Sequence, residues 1–152
     1  MSHETRLAEL GLTLPAPRPP LYVYVPVVVE SGLAWVSGQL PWRGDAPLAT
    51  GHLGHDVDIE TGRACARLCV LHGLAALRAE LGSLDRVKRI VKLVGFVSSA
   101  PDFYDQAMVV DGASTLLGEI FGDAGRHARS AIGMVALPRN TPVEIEFVAA
   151  VA

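Results

Sequence analysis

His127-Ala128-Arg129-Ser130-Ala131-Ile132-Gly133-Met134-Val135-Ala136-Leu137-Pro138, continued by Asn140-Thr141-Pro142-Val143-Glu144-Ile145-Glu146, is the stretch whose reading decides the fold. An arginine stands at the head of an extended apolar run, and two carboxylates stand in the next. Pro138 and Pro142 separate the two, which predicts strands over Arg129 to Leu137 and Val143 to Val151. The planar fork of Arg129 suits a carboxylate gripped bidentately. A glutamate near it can move protons, so the pair suits a small anionic substrate. The same residues also have plainer uses. Alternation in Val143-Glu144-Ile145-Glu146-Phe147 puts both glutamates on one strand face, as a solvated face does. Arg129 paired with Glu144 or Glu146 is also what an ordinary interface salt bridge looks like.

Upstream, the apolar positions Leu116, Leu117 and Ile120 predict a helix over Ala107 to Phe121, ended by Gly122. Before it, Ile90 to Val97 is a β-rich run led in by Asp85 to Arg89. Helical spacing over Asp58 to Leu81 puts Ala64, Leu68, Leu71, Ala75 and Leu81 on one stripe and Arg63, Arg67, Arg78 and Glu80 toward solvent, with Gly82 as the stop. Residues 41–56 are rich in Gly, Pro and His, with weak strand character at most. Leu33 to Gln39 and Tyr22 to Val29, the latter interrupted by Pro26, form a hairpin around Glu30-Ser31-Gly32. The first 20 residues are an arm, with a short helix over Thr5 to Leu10 closed by Gly11 and a stretch broken by Pro15, Pro17, Pro19 and Pro20. The order ββ(β)αβαββ is an α+β layout with helices on one face of a mixed sheet, and residues 1–152 read as one domain.

Bulk composition narrows the function. A chain of 152 residues can bury roughly 68–70% of its unfolded surface without disulfides. Half the residues are hydrophobic and 19% are charged, yet every apolar run is broken by charge, Gly or Pro before the ~18 residues that a bilayer requires. No membrane partner is expected. A mean hydropathy of +0.33 is high for a soluble monomer and predicts apolar surface covered by sister subunits. A net charge of −3 with a pI near 5.9 gives no general pull on phosphate backbones, so nucleic acid is disfavoured. Charges at Glu4, Arg6 and Glu9 break any secretory signal, and two cysteines point to a reducing cytoplasm.

Three short segments together resemble the RidA/YjgF family, also labelled L-PSP endoribonucleases: Ser37-Gly38-Gln39 after the hairpin, Ala128-Arg129-Ser130 before Leu137-Pro138, and Val143-Glu144-Ile145-Glu146. The resemblance runs from about Tyr24 to the C-terminus. It implies a chorismate-mutase-like fold and a homotrimer with sites in the clefts between subunits. It also implies hydrolysis of reactive enamines and imines to 2-oxo acids and ammonia, without metal or organic cofactor. On that resemblance Arg129 is the substrate-carboxylate arginine and Glu144 the glutamate that orients water and shuttles protons. Tyr24, Ser37 and Gly38 line the cleft, and Ser130 and Ala131 follow the arginine along the substrate. Ala131 departs from the family, whose well-studied members carry cysteine there. Insertions around Gly44 to His55 and Asp123 to His127 mark a divergent subfamily.

The implied chemistry is physically economical. A 2-imino acid offers a carboxylate for Arg129 and an electrophilic carbon for water, and proton transfer by a carboxyl group contributes roughly 10²–10⁴-fold. Other clusters read more plainly. Cys65, Cys69 and His72 fall at i, i+4 and i+7, a spacing that can line up metal ligands. With no fourth ligand evident, buried cysteines are the simpler reading, and no metal is expected. His52, His55 and His127 read as loop or surface residues, Tyr22 and Tyr24 as packing residues. Arg86, Lys88, Arg89 and Lys92 form a solvated edge without the aromatics of an RNA platform. Three functions are left: an imine deaminase, a non-catalytic carboxylate binder of the same fold, and an RNA-cleaving translation inhibitor.

Overall fold

The computed structural model covers residues 1–152. Its centre is a five-stranded mixed sheet in the order β1-β2-β7-β5-β6. The strands are β1 (Val27–Glu30), β2 (Leu33–Gln39), β5 (Val87–Ser98), β6 (Ala128–Met134) and β7 (Val143–Val151), while β3 (Trp42–Arg43) and β4 (Ala46–Pro47) make a separate two-stranded ribbon. β5 and β6 run parallel because a helix connects them, and every other pair is antiparallel. Three helices accompany the sheet: α1 (His3–Glu9), α2 (Ile59–Leu81) and α3 (Gln106–Phe121).

Local chemistry sets these boundaries. β1 and β2 close around Ser31 (φ 52°) and Gly32 (φ 76°), the two positive φ values of a hairpin turn that matches strand twist. α2 starts where the Asp58 carboxylate accepts from Thr61 N at 2.8 Å and stops at left-handed Gly82. α1 docks on α3: Leu7 is buried, Arg6 Nε donates to the Glu119 carbonyl at 2.9 Å, and the His3 ring stacks obliquely on Phe121 at 4.6 Å.

α2 and α3 lie side by side on one sheet face. Phe147, Leu93, Ile90, Ile145, Leu74, Leu116 and Leu117 are fully or nearly fully buried between the layers. The buried face of α2 is rotated from the expected stripe. It runs through Gly62, Cys65, Ala66, Cys69, Val70, Gly73, Leu74 and Leu77, taking in Ala75 and Leu81, while Leu68 and Leu71 are half-buried flanks and Ala64 is exposed. Small residues let the helix come close to the sheet, and apolarity by itself does not reveal that preference.

The other sheet face is uncovered in a single chain. Val28, Trp35 and Ile132 stand exposed on it. The expected strand from Tyr22 is shorter than predicted: it starts at Val27, after Pro26, and Leu21 to Val25 run irregularly with their side chains exposed. No helix is long and apolar enough to cross a membrane.

Candidate functional site

Between Val36 and Gln39 the register of β2 against β7 slips, so two residues of β2, Ser37 and Gly38, face one of β7. Such a bulge re-aims side chains. Ser37 uses it to fasten the preceding segment: its hydroxyl donates to the Val25 carbonyl at 2.7 Å and its amide to the Pro26 carbonyl at 2.9 Å. That staple brings Tyr24 beside the strand. Gly38 does something different. A Cβ placed on it would fall on Glu144 Oε2, so the carboxyl occupies the space that any other residue's side chain would fill.

Tyr24, Ser37, Gly38 and Glu144 all line one cavity of about 630 Å³, within the range of small-molecule pockets. Burial raises the Glu144 pKa above the ordinary carboxylate value, and the like charge of Glu146 adds to the shift. None of the chain's four ion pairs involves Glu144. It is a half-buried acid, inclined to hold its proton, facing an open hollow. Those are the properties of a proton-transfer group.

The remaining wall contains residues that sequence reasoning did not connect to the site. Arg18 comes from the proline-rich arm, Trp42 from β3, His72 from α2 and Arg139 from the β6–β7 connection. The Arg18 guanidinium carbon lies 4.3 Å from the centre of the Trp42 ring, and that of Arg139 lies 5.6 Å from it. His72 Nε2 donates to the Trp42 carbonyl at 2.8 Å. Burial, with the charge of Arg18 as a lesser cause, lowers the His72 pKa and favours the neutral ring, although the hydrogen bond to the Trp42 carbonyl acts in the opposite direction. Four separate segments converge here, and no linear motif spans them.

Arg129, Ser130 and Ala131 do not line this cavity. In register Arg129 sits beside Leu93, which is itself beside Phe147, and all three project to the helix side. The Arg129 guanidinium pairs with Asp111 of α3 at 2.7 Å, donates to Ser114 Oγ at 3.2 Å and to the Ala107 carbonyl at 3.4 Å. Ala131 shares that face. Ser130 lies on the open face, where Lys92 Nζ donates to its hydroxyl at 3.3 Å. The sequence alone does not say whether Arg129 and Glu144 face each other within a subunit or across a boundary; within one chain the sheet separates them. Their facing is decided by alternation along two strands and the register of a third between them.

The cysteines sit in the core: Cys69 Sγ donates to the Val143 carbonyl at 3.7 Å, and burial pushes the Cys65 thiol up to about 11. His52 and His55 border a second, wider hollow of about 860 Å³ near the end of β6. His127 stays out of both cavities.

Comparison with known proteins agrees with this architecture. Protein TCP17 of Trypanosoma cruzi is 44% identical over 141 residues, 92% of this chain and 88% of that one. A crystal structure from Agrobacterium tumefaciens, the protein Atu1372 of unknown function, superposes with a TM-score of 0.91 at 42% identity, over 99% of this chain and 92% of that one. A Shewanella oneidensis structure carrying an endoribonuclease description reaches a TM-score of 0.95 at 34% identity, over 99% of this chain and 100% of that one. Residues 4–150 match the family described as "YjgF/chorismate mutase-like, putative endoribonuclease". That span takes in nearly the whole sheet and all the lining residues of the cavity, and the chain belongs to the RidA/YjgF family.

Proposed function

We propose that the protein is an imine and enamine deaminase, a hydrolase that converts reactive 2-imino acids to 2-oxo acids and ammonia at sites shared between the subunits of a homotrimer. The observation that carries the reading is Glu144: a half-buried carboxyl with a raised pKa, held over Gly38 and open to a cavity that Tyr24 and Ser37 also line. In the proposed reaction Arg129 of a second copy holds the substrate carboxylate. Glu144 takes a proton from the attacking water as the C–O bond forms and passes it to the nitrogen, then moves the hydroxyl proton of the resulting carbinolamine to the same nitrogen, so that the C–N bond breaks, ammonia leaves and the carbonyl forms. No metal or organic cofactor enters these steps.

Two features support a shared site. Arg129 lies on an edge strand, β6, and faces away from the Glu144 of its own chain. The exposed Val28, Trp35 and Ile132 on the open sheet face, with Leu21 to Val25 beside it, form the apolar surface that sister subunits would cover. Asp111 does not prevent Arg129 from taking a ligand. Its side chain is 51% exposed against 22% for that of Arg129; ion pairs open to solvent contribute about 0–1 kcal/mol, so an incoming carboxylate can replace Asp111 at modest cost. The proposed setting is the cytoplasm, which suits two free, buried cysteines.

A second reading, a non-catalytic carboxylate binder, is favoured by that same Arg129–Asp111 pair, since an arginine already engaged grips a ligand less firmly. The RNA-cleaving reading has less behind it, because a net charge of −3 gives no general attraction to a phosphate backbone. An amino-acid oxidase coupled to keto-acid detection separates the readings. Faster keto-acid release that is lost in Arg129→Ala and Glu144→Gln supports the deaminase. Carboxylate binding without acceleration supports the binder.

A further inference from the structure

The cavity beside Glu144 carries more positive charge than a single-carboxylate substrate needs. Arg18 and Arg139 line it from two distant parts of the chain and both lie against Trp42. Neither belongs to any of the chain's four ion pairs. Arg18 is anchored by a donation from Nη1 to the Gly44 carbonyl at 2.9 Å. The indole attracts both cations, and no ion pair neutralises either. An anion entering the cavity that both line meets two guanidinium groups with no carboxylate partner.

The backbone supports the same conclusion. Arg139 is held at φ 60°, ψ 19° and Asn140 at φ 55°, in a region where arginine is uncommon. Gly51 N donates to the Asn140 carbonyl at 2.8 Å, and Asn140 N donates to that of Leu137 at 3.1 Å. These bonds fix a left-handed turn whose effect is to keep the Arg139 side chain at the cavity wall. Backbone strain retained beside a pocket is where function is expected.

We propose that Arg18 and Arg139, braced on Trp42, form a second anion subsite, and that the molecule taken by this cavity is a dicarboxylate. For the reacting group this rests on the deaminase reading, which makes the substrate class the 2-imino diacids derived from acidic amino acids. The subsite itself requires only two acid groups on one small molecule. The first engages the arginine that holds the reacting end, and the second is met by Arg18 and Arg139 at the cavity wall.

The test compares 2-oxoglutarate with 2-oxopentanoate, which has the same carbon count and lacks the distal carboxylate, by titration calorimetry on the full chain. The diacid is expected to bind tenfold or more tightly at low salt. That preference should shrink to about twofold in Arg18→Gln/Arg139→Gln and weaken with added salt. Arg18→Gln alone, a change in an exposed arm, should lose part of it even if the double variant fails to fold. Equal affinity for the two acids, binding of neither, or a preference that survives both substitutions would overturn the subsite. The two proposals fail separately. Diacid preference without accelerated imine hydrolysis leaves the subsite standing and removes the deaminase, whereas rapid hydrolysis of monocarboxylate imines with no preference does the reverse.

Discussion

Arg129 and Glu144 leave one sheet by opposite faces: Arg129 reaches over the edge of β6 to Asp111 on α3, and Glu144 projects from β7 into the cavity over Gly38. A reaction that uses both residues needs two copies of the chain.

Gly38→Ala puts a methyl group where the Glu144 carboxyl lies. The carboxyl is the end of a flexible side chain and can swing away, so the fold should tolerate the change. Its proton-transfer geometry should not, since displacements near 1 Å can cost about 10²-fold in rate. Turnover is expected to fall by roughly that factor with a melting temperature close to wild type.

Ser37→Ala removes the 2.7 Å bond to the Val25 carbonyl. A typical hydrogen bond contributes about 1 kcal/mol. The loss should appear as a small drop in stability and, because the Tyr24 segment loosens, as a higher KM with kcat less affected.

Burial gives Glu144 a pKa above its unfolded value of 4.5. A carboxyl with a raised folded-state pKa binds its proton more tightly when folded, so it opposes folding above that pKa. The cost is relieved as the pH falls through the folded value toward 4.5. Glu144→Gln should therefore melt at or above the wild-type temperature near pH 8, with the gap closing on acidification. The acid limb of the rate profile should sit above the ordinary carboxylate range.

Asp111→Asn removes the anion that competes with substrate for Arg129. With the Asp111 side chain half exposed, stability should change by less than about 1 kcal/mol. Affinity for 2-oxo acids should rise a few-fold, measured by calorimetry. A fall in affinity would mean that Asp111 serves chiefly to orient the arginine.

The elements were largely legible in the sequence because their signals are local. Asp58 and Gly82 bracket α2, and Ser31-Gly32 turns the hairpin. Leu68 and Leu71 misled the orientation of α2 because the closest helix–sheet contacts select Gly, Cys and Ala over larger apolar residues. The site was legible in part. Tyr24, Ser37, Gly38 and Glu144 carry a family pattern and share the cavity. Arg18, Trp42 and Arg139 come together only through contacts between distant segments, which no local spacing encodes. The opposed directions of Arg129 and Glu144 depend on the register of β5 between their strands.

The most direct test of the shared site is complementation between two defective variants. Arg129→Ala and Glu144→Gln should each be nearly inactive alone. Refolded together at equal ratio, they should recover about a quarter of the wild-type rate, because one in four subunit boundaries then joins an intact arginine to an intact glutamate. A mixture no more active than its components, although mixed oligomers have formed, would contradict the account.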